Sequence, residues 1–97
     1  MPADGCPLCE KEPLKDLGLW RIVDNSYPYD RIAKVHHMII PARHVSEDGL
    51  TKDEQEQFRE LKNSYIADNY DWIIEATHNN KSLPAHFHLH LLISKFR

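Results

Sequence analysis

The residues of this chain best suited to chemistry are three histidines at alternate positions in His86-Phe87-His88-Leu89-His90-Leu91-Leu92. Successive side chains of a β-strand point to opposite faces. A strand here therefore puts all three imidazoles on one face and Phe87, Leu89 and Leu91 on the other. Rings so placed stand about 7 Å apart, too far to hydrogen-bond each other and well spaced to grip one ligand or metal from several sides. A neutral imidazole can also attack phosphorus, and a phosphorylated histidine passes its group to water, so one difficult displacement becomes two easier ones. The spacing thus predicts a polar working face backed by core, for a reaction or for a metal.

A second group is the knuckle Cys6-Pro7-Leu8-Cys9. Two thiolates at this spacing are half of a tetrahedral zinc site, and two further ligands must come from elsewhere in the fold. A redox dithiol is the competing reading, but it normally accompanies a thioredoxin-like βαβ pattern that this chain lacks; two unligated thiols in a reducing compartment is another. A zinc clasp also suits a small domain that needs a staple.

The elements that must position these groups are few. Ninety-seven residues, 41% of them hydrophobic, make one domain spanning 1–97 with a modest core, for which a metal or a second subunit is a useful source of stability. Trp20 to Asp24 reads as a short strand between Gly18 and the turn-rich Asn25 to Asp30. Val35 to Ile40 reads as a second strand, stopped by Pro41, which has no N–H for a ladder. Thr51-Lys52-Asp53-Glu54 is a capping box, and Phe58, Leu61 and Tyr65 follow at helical spacing, so a helix is expected to run to about Ala67. Tyr70 to Thr77 alternates as a third strand, Asn79-Asn80-Lys81-Ser82 turns, and the histidine strand follows. The expected class is α+β, an antiparallel sheet with one main helix packed on it. A net charge of −3 gives no bulk attraction to DNA or RNA, so any phosphate must be met locally. No window approaches a membrane span, and Met1-Pro2-Ala3-Asp4-Gly5 has neither a basic nor an apolar leader region, so a soluble, cytoplasmic protein is expected.

The histidine stretch resembles the signature of the histidine triad (HIT) family of nucleotide hydrolases and transferases, His-φ-His-φ-His-φ-φ with φ apolar, and matches it at every position. An earlier block is similar to the family's other motif: Asn25-Ser26-Tyr27-Pro28-Tyr29, then His36-His37-Met38-Ile39-Ile40-Pro41-Ala42-Arg43-His44. The resemblance runs from Cys6 to about Ile93. It implies the α+β architecture already expected, often with two subunits joining their sheets, hence a possible homodimer. It implies that His88 is the nucleophile that forms a covalent nucleotidyl intermediate and that His90 contacts the reacting phosphate. In members with a Cys-x-x-Cys knuckle, the resemblance implies one structural zinc, here held by Cys6, Cys9, His44 and His86. The implied substrate is a nucleotide with a phosphoanhydride, phosphoramidate or phosphoester at its α-phosphate.

Asn25 and His36 occupy positions that the family places near the nucleotide, although Asn25 could simply open a turn and His36 pack beside His37. Asn79 and Ser82, from the loop before the triad, complete the candidate substrate contacts. Many family hydrolases carry Gln then Ser or Thr four and three residues before the first triad histidine; this chain has Ser82 and Leu83. Ser82 can donate a hydrogen bond and Leu83 cannot, which sets three readings beside one another. They are a hydrolase or transferase, a weakly active nucleotide- or partner-binding module, and a zinc-binding protein without catalysis.

Overall fold

The computed structural model describes residues 6–25, 33–77 and 86–95. Two apolar runs make its centre. Strand β2 (Trp20–Asp24) lies antiparallel to β3 (Ala33–Pro41), from Trp20 opposite Pro41 to Asp24 opposite His37. Beyond β3 come β5 (Leu89–Ser94) and then β4 (Trp72–Ile74), while β1 (Lys15–Asp16) flanks β2 on the other edge. The result is a five-stranded antiparallel sheet in the order β1-β2-β3-β5-β4. With its one main helix, this is the α+β architecture expected.

Both faces of the central strands are covered, which is why Ile22-Val23 and Met38-Ile39-Ile40 read as unbroken apolar runs. Trp20, Ile22, Ile39, Leu89 and Leu91 face the helix and bury Phe87 and Ile66 with them. Val23, Met38 and Ile40 face the other way, onto Cys6 and Leu8 of the N-terminal knuckle. Trp20 is fully buried, its ring 5.1 Å from Phe58 and 6.0 Å from Phe87, and its Nε1 donates to the Glu54 carbonyl at 2.8 Å.

Helix α2 (Lys52–Leu61) starts where the capping box predicts. The Glu54 N–H donates to Thr51 Oγ1 at 3.1 Å, and the Thr51 N–H donates to Glu54 Oε1 at 2.8 Å. Arg43 grips the same carboxylate through Nε and Nη2, at 2.9 and 2.7 Å. Its guanidinium holds the Glu54 carboxyl below the usual carboxylate range. Thr51→Ala removes an N-cap acceptor and should cost about 1 kcal/mol in urea unfolding, with an unchanged m-value. An unaltered midpoint would show that Arg43 and Glu54 alone hold the helix start.

Several boundaries differ from the sequence reading. The helix widens into a π turn over Lys62–Ile66 before a last turn, α3 (Ala67–Asn69). Side chains take up carbonyls around the wide turn: Asn63 donates to Arg59, Ser64 to Glu60 and Asn69 to Tyr65. The extra residue brings Ile66 into the core beside Tyr65. Strand β4 is shorter than Tyr70 to Thr77, and β5 begins only at Leu89, so His86 and His88 precede the strand expected to carry them. Ile74 pairs with His90 at the end of the β4–β5 ladder, and the chain before Leu89 turns to other partners. Two elements have no clear sequence signal: the four-residue helix α1 (Pro7–Glu10) and the β1–β2 turn, where Gly18 adopts φ 98°. Gln57 of α2 secures that turn, accepting from the Leu19 N–H at 2.8 Å and donating to the Leu17 carbonyl at 2.9 Å.

Candidate active site and metal centre

Pro7 opens α1 directly after Cys6, and the single turn brings Cys9 round to the side of Cys6 that faces the sheet. Pro41 ends β3, and the chain beyond it delivers His44; His86 arrives from the approach to β5. Cys9 Sγ lies 3.2 Å from His44 Nδ1 and 3.3 Å from His86 Nδ1, and Cys6 Sγ lies 3.5 Å from His86 Nδ1. All four donor atoms fall within 4.8 Å of one another. His86 is 1% exposed, and its Nε2–H donates to the Pro41 carbonyl at 3.3 Å, which turns Nδ1 toward the sulfurs. Two thiols and two imidazoles at these separations suit a tetrahedral ion, so the four residues could hold a metal.

The second cluster lies on the same side of the sheet. His88 is buried, and its Nδ1–H donates to the His86 carbonyl at 3.0 Å, which leaves the Nε2 lone pair free. The His90 ring stands edge-on to it, 5.6 Å away between centroids. His90 Nδ1 in turn shares a 2.8 Å hydrogen bond with His36 Nε2, across the boundary between β5 and β3. The Asn25 amide nitrogen sits 3.0 Å from His36 Nε2 and 3.4 Å from His90 Nδ1. The structure therefore brings Asn25, His36, His88 and His90 together, with Asn25 and His36 set against His90.

Burial, then the neighbouring His36 and His88, pushes the His90 pKa down to about 4. Burial lowers His36 as well, followed by the charge of His37. Both shifts favour the neutral rings, and the bond between them uses the N–H of one and the ring-nitrogen lone pair of the other. In the unfolded chain His90 takes its proton near pH 6.5, but in the fold only near pH 4. Its contribution to stability should therefore be complete above about pH 6.5 and decline as pH falls toward 4, with His36 acting in the same sense. Thermal melts should show this slope, and it should be shallower in His90→Asn; equal slopes would reject the assignment.

His37 points to the opposite face, where its Nδ1 accepts from the Tyr70 hydroxyl at 2.7 Å. Burial raises the Tyr70 pKa to about 12, so the phenol keeps its proton and donates. This bond ties the chain leaving α3 to the sheet, and no local sequence signal announces it. Asn79, Ser82, Leu83 and His78 lie outside the described residues, as do Tyr27, Pro28 and Tyr29.

No protein-family model matches the sequence, and no curated protein does. Solved structures do. One, called "Hit Like Protein", superposes with a TM-score of 0.58 at 18% identity, over 86% of this chain and 85% of that one. Another, a HIT family hydrolase from Clostridium thermocellum, gives a TM-score of 0.61 at 17% identity, over 93% of this chain and 90% of its own. The chain has the HIT fold. At such identities the likeness concerns the path of the backbone, and the HIT fold here carries its triad at the junction of β3, β5 and the N-terminal knuckle.

Proposed function

We propose that the chain is a nucleotide hydrolase or nucleotidyl transferase acting at the α-phosphate of a nucleoside phosphoramidate, phosphoester or dinucleoside polyphosphate. The observation that carries this reading is the tautomer of His88. With Nδ1–H committed to the His86 carbonyl at 3.0 Å, Nε2 presents a lone pair from a buried, oriented ring. Nε2 attacks the α-phosphorus, the P–N or P–O bond to the leaving group breaks with its electron pair, and a nucleotidyl-histidine remains. Water then attacks the same phosphorus, loses a proton, and His88 departs as the neutral ring; another acceptor in place of water makes the reaction a transfer. His90, kept neutral and braced by His36 and Asn25, contacts the reacting phosphate. Asn25 and His36 also border the nucleotide, and Asn79 and Ser82 are proposed contacts on the leaving-group side.

We assign zinc to the Cys6, Cys9, His44 and His86 cluster, where the ion is structural: it cross-links the knuckle to the sheet. Free thiols in that cluster suit a reducing cytoplasm. A homodimer is supported by the short edge strand β4, whose Trp72 is 60% exposed and would be covered by a second copy. The decisive experiment is incubation with adenosine phosphoramidate and with a labelled dinucleoside polyphosphate, followed by acid quench. Label bound to the protein in an acid-labile linkage, with steady product release, supports the proposal. No turnover and no trapped label across several nucleotides would overturn it in favour of a binding module.

A further inference from the structure

We propose that the space between helix α2 and the reverse side of the histidine stretch is a second binding site, one for a small aromatic carboxylate. It stands apart from the proposed reaction. The three histidines face the knuckle side of the sheet, and this space lies on the other side, where Phe87 and Leu89, which alternate with them, point.

A cavity of about 320 Å³ lies there. That is the lower end of the range for small-molecule sites and the volume of roughly ten waters, which a fused pair of rings with one acidic group fills. Its floor is aromatic and already held in place. Trp20 is fully buried, its ring packs on Phe58 and Phe87, and its Nε1–H is spent on the Glu54 carbonyl, so the indole offers the cavity carbon and no unmet donor. Leu89 completes the floor, Leu50 forms a wall, and Gln55 fixes that wall by donating to the Leu50 carbonyl at 3.2 Å. A preformed apolar slot of this kind takes a flat ring without first ordering its own side chains.

The rim supplies the charge. Gln55, Phe58, Arg59 and Lys62 follow one another at i, i+3, i+4 and i+7 along one face of the helix, so two cations border the aromatic floor about one turn apart. Among the described residues neither cationic side chain makes a hydrogen bond or an ion pair. Lys62 is also the residue at which the helix widens into its π turn, a distortion frequent at functional sites. Glu47 and Glu75 border the same cavity. Two carboxylates beside two cations favour an anion of single charge over a phosphate dianion, and the guanidinium fork of Arg59 suits the paired oxygens of a carboxylate.

The test is titration of the full 15N-labelled chain with naphthalene-2-carboxylate, followed by NMR. The Trp20 indole N–H and the Phe58, Phe87 and Leu89 amides should shift together, with a Kd of about 1 mM or tighter for a ligand of this size. Arg59→Gln/Lys62→Gln should weaken binding about tenfold or more, whereas neutral naphthalene-2-carboxamide should bind parent and double variant within about twofold of each other. Both substituted side chains are exposed, and an unmoved Trp20 indole signal in the ligand-free variant verifies its fold. If that signal moves, Lys62→Gln alone decides, with a loss of at least about threefold expected. Unaltered carboxylate affinity in the folded variant, or no shift of the four signals in the parent, would overturn the proposal. Shifts confined to His36, His88 and His90 would do the same, by putting the ligand on the triad face. In a last arm, adenosine monophosphate should leave the four signals and the carboxylate's Kd unchanged; displacement would make the cavity part of a nucleotide pocket and end its standing as a second site. None of these readouts needs turnover, so an inactive chain rejects the proposed function and leaves this proposal in place.

Discussion

A His88→Ala chain should bind nucleotide within about threefold of the parent and turn it over roughly 10⁴-fold more slowly or worse, the scale on which covalent nucleophiles are lost. The reason lies in what the ring does and does not touch. Its Nδ1 is committed to a backbone carbonyl and its neighbours are other imidazoles, so its removal takes the attacking atom and leaves the His36–His90–Asn25 group standing. The cavity left by a buried ring will cost some stability, so circular dichroism and nucleotide affinity are measured beside the rate. Wild-type turnover in His88→Ala would end the covalent mechanism. A comparable loss of binding and rate together would mean that the ring shapes the pocket instead of attacking. His90→Ala offers a contrast, because loss of a phosphate contact leaves the nucleophile in place and should permit slow turnover with trapped label.

Removing the metal should have the other large effect. We expect one zinc per chain, and on chelation a fall in melting temperature of at least about 10 °C, since structural zinc binding is itself folding free energy and each kcal/mol moves a domain of this size by several degrees. Helix α1 is four residues long, and among the described residues its apolar contact with the sheet is a small cluster, Cys6 and Leu8 on Val23, Met38 and Ile40 with Cys9 packed beside them. The Cys6→Ser/Cys9→Ser double variant should carry no zinc and melt where the chelated parent melts. Stoichiometric zinc in that variant, or its absence from the parent purified without chelators, would reject the four-residue assignment. Two or more ions per chain would draw the triad into metal binding and favour the non-catalytic reading.

How far each feature can be read from the chain depends on how far apart its parts lie. The capping box shows that the range is short where the signal is good: Thr51 and Glu54 are three residues apart, and helix α2 begins at the residue after the cap. The helix end is less legible, because the π turn is a compromise between burying Ile66 and keeping its carbonyls satisfied, and no single residue announces it. The triad stretch reads correctly in its alternation, with Phe87, Leu89 and Leu91 in the helix-side core. Its strand is misplaced by three residues. Alternation describes an extended chain and does not say whether a neighbour is present to pair with it.

By itself, the sequence determined the chemistry on offer: three alternating imidazoles, two thiols at knuckle spacing, a capped amphipathic helix and apolar runs that sort into an antiparallel α+β class. These are properties of residues within a few positions of one another, where backbone geometry dictates which side chains share a face. The tertiary structure alone decided which groups meet. Cys6 faces His86 across 80 residues, and His36 bonds His90 across 54. The His86 carbonyl stands ready for His88 because the approach to β5 is tied to Pro41 at the end of β3 and to Val45 beyond it. Such meetings follow from strand order and register, and a one-residue slip in either pairing would carry the histidines to the opposite face with every local signal unchanged.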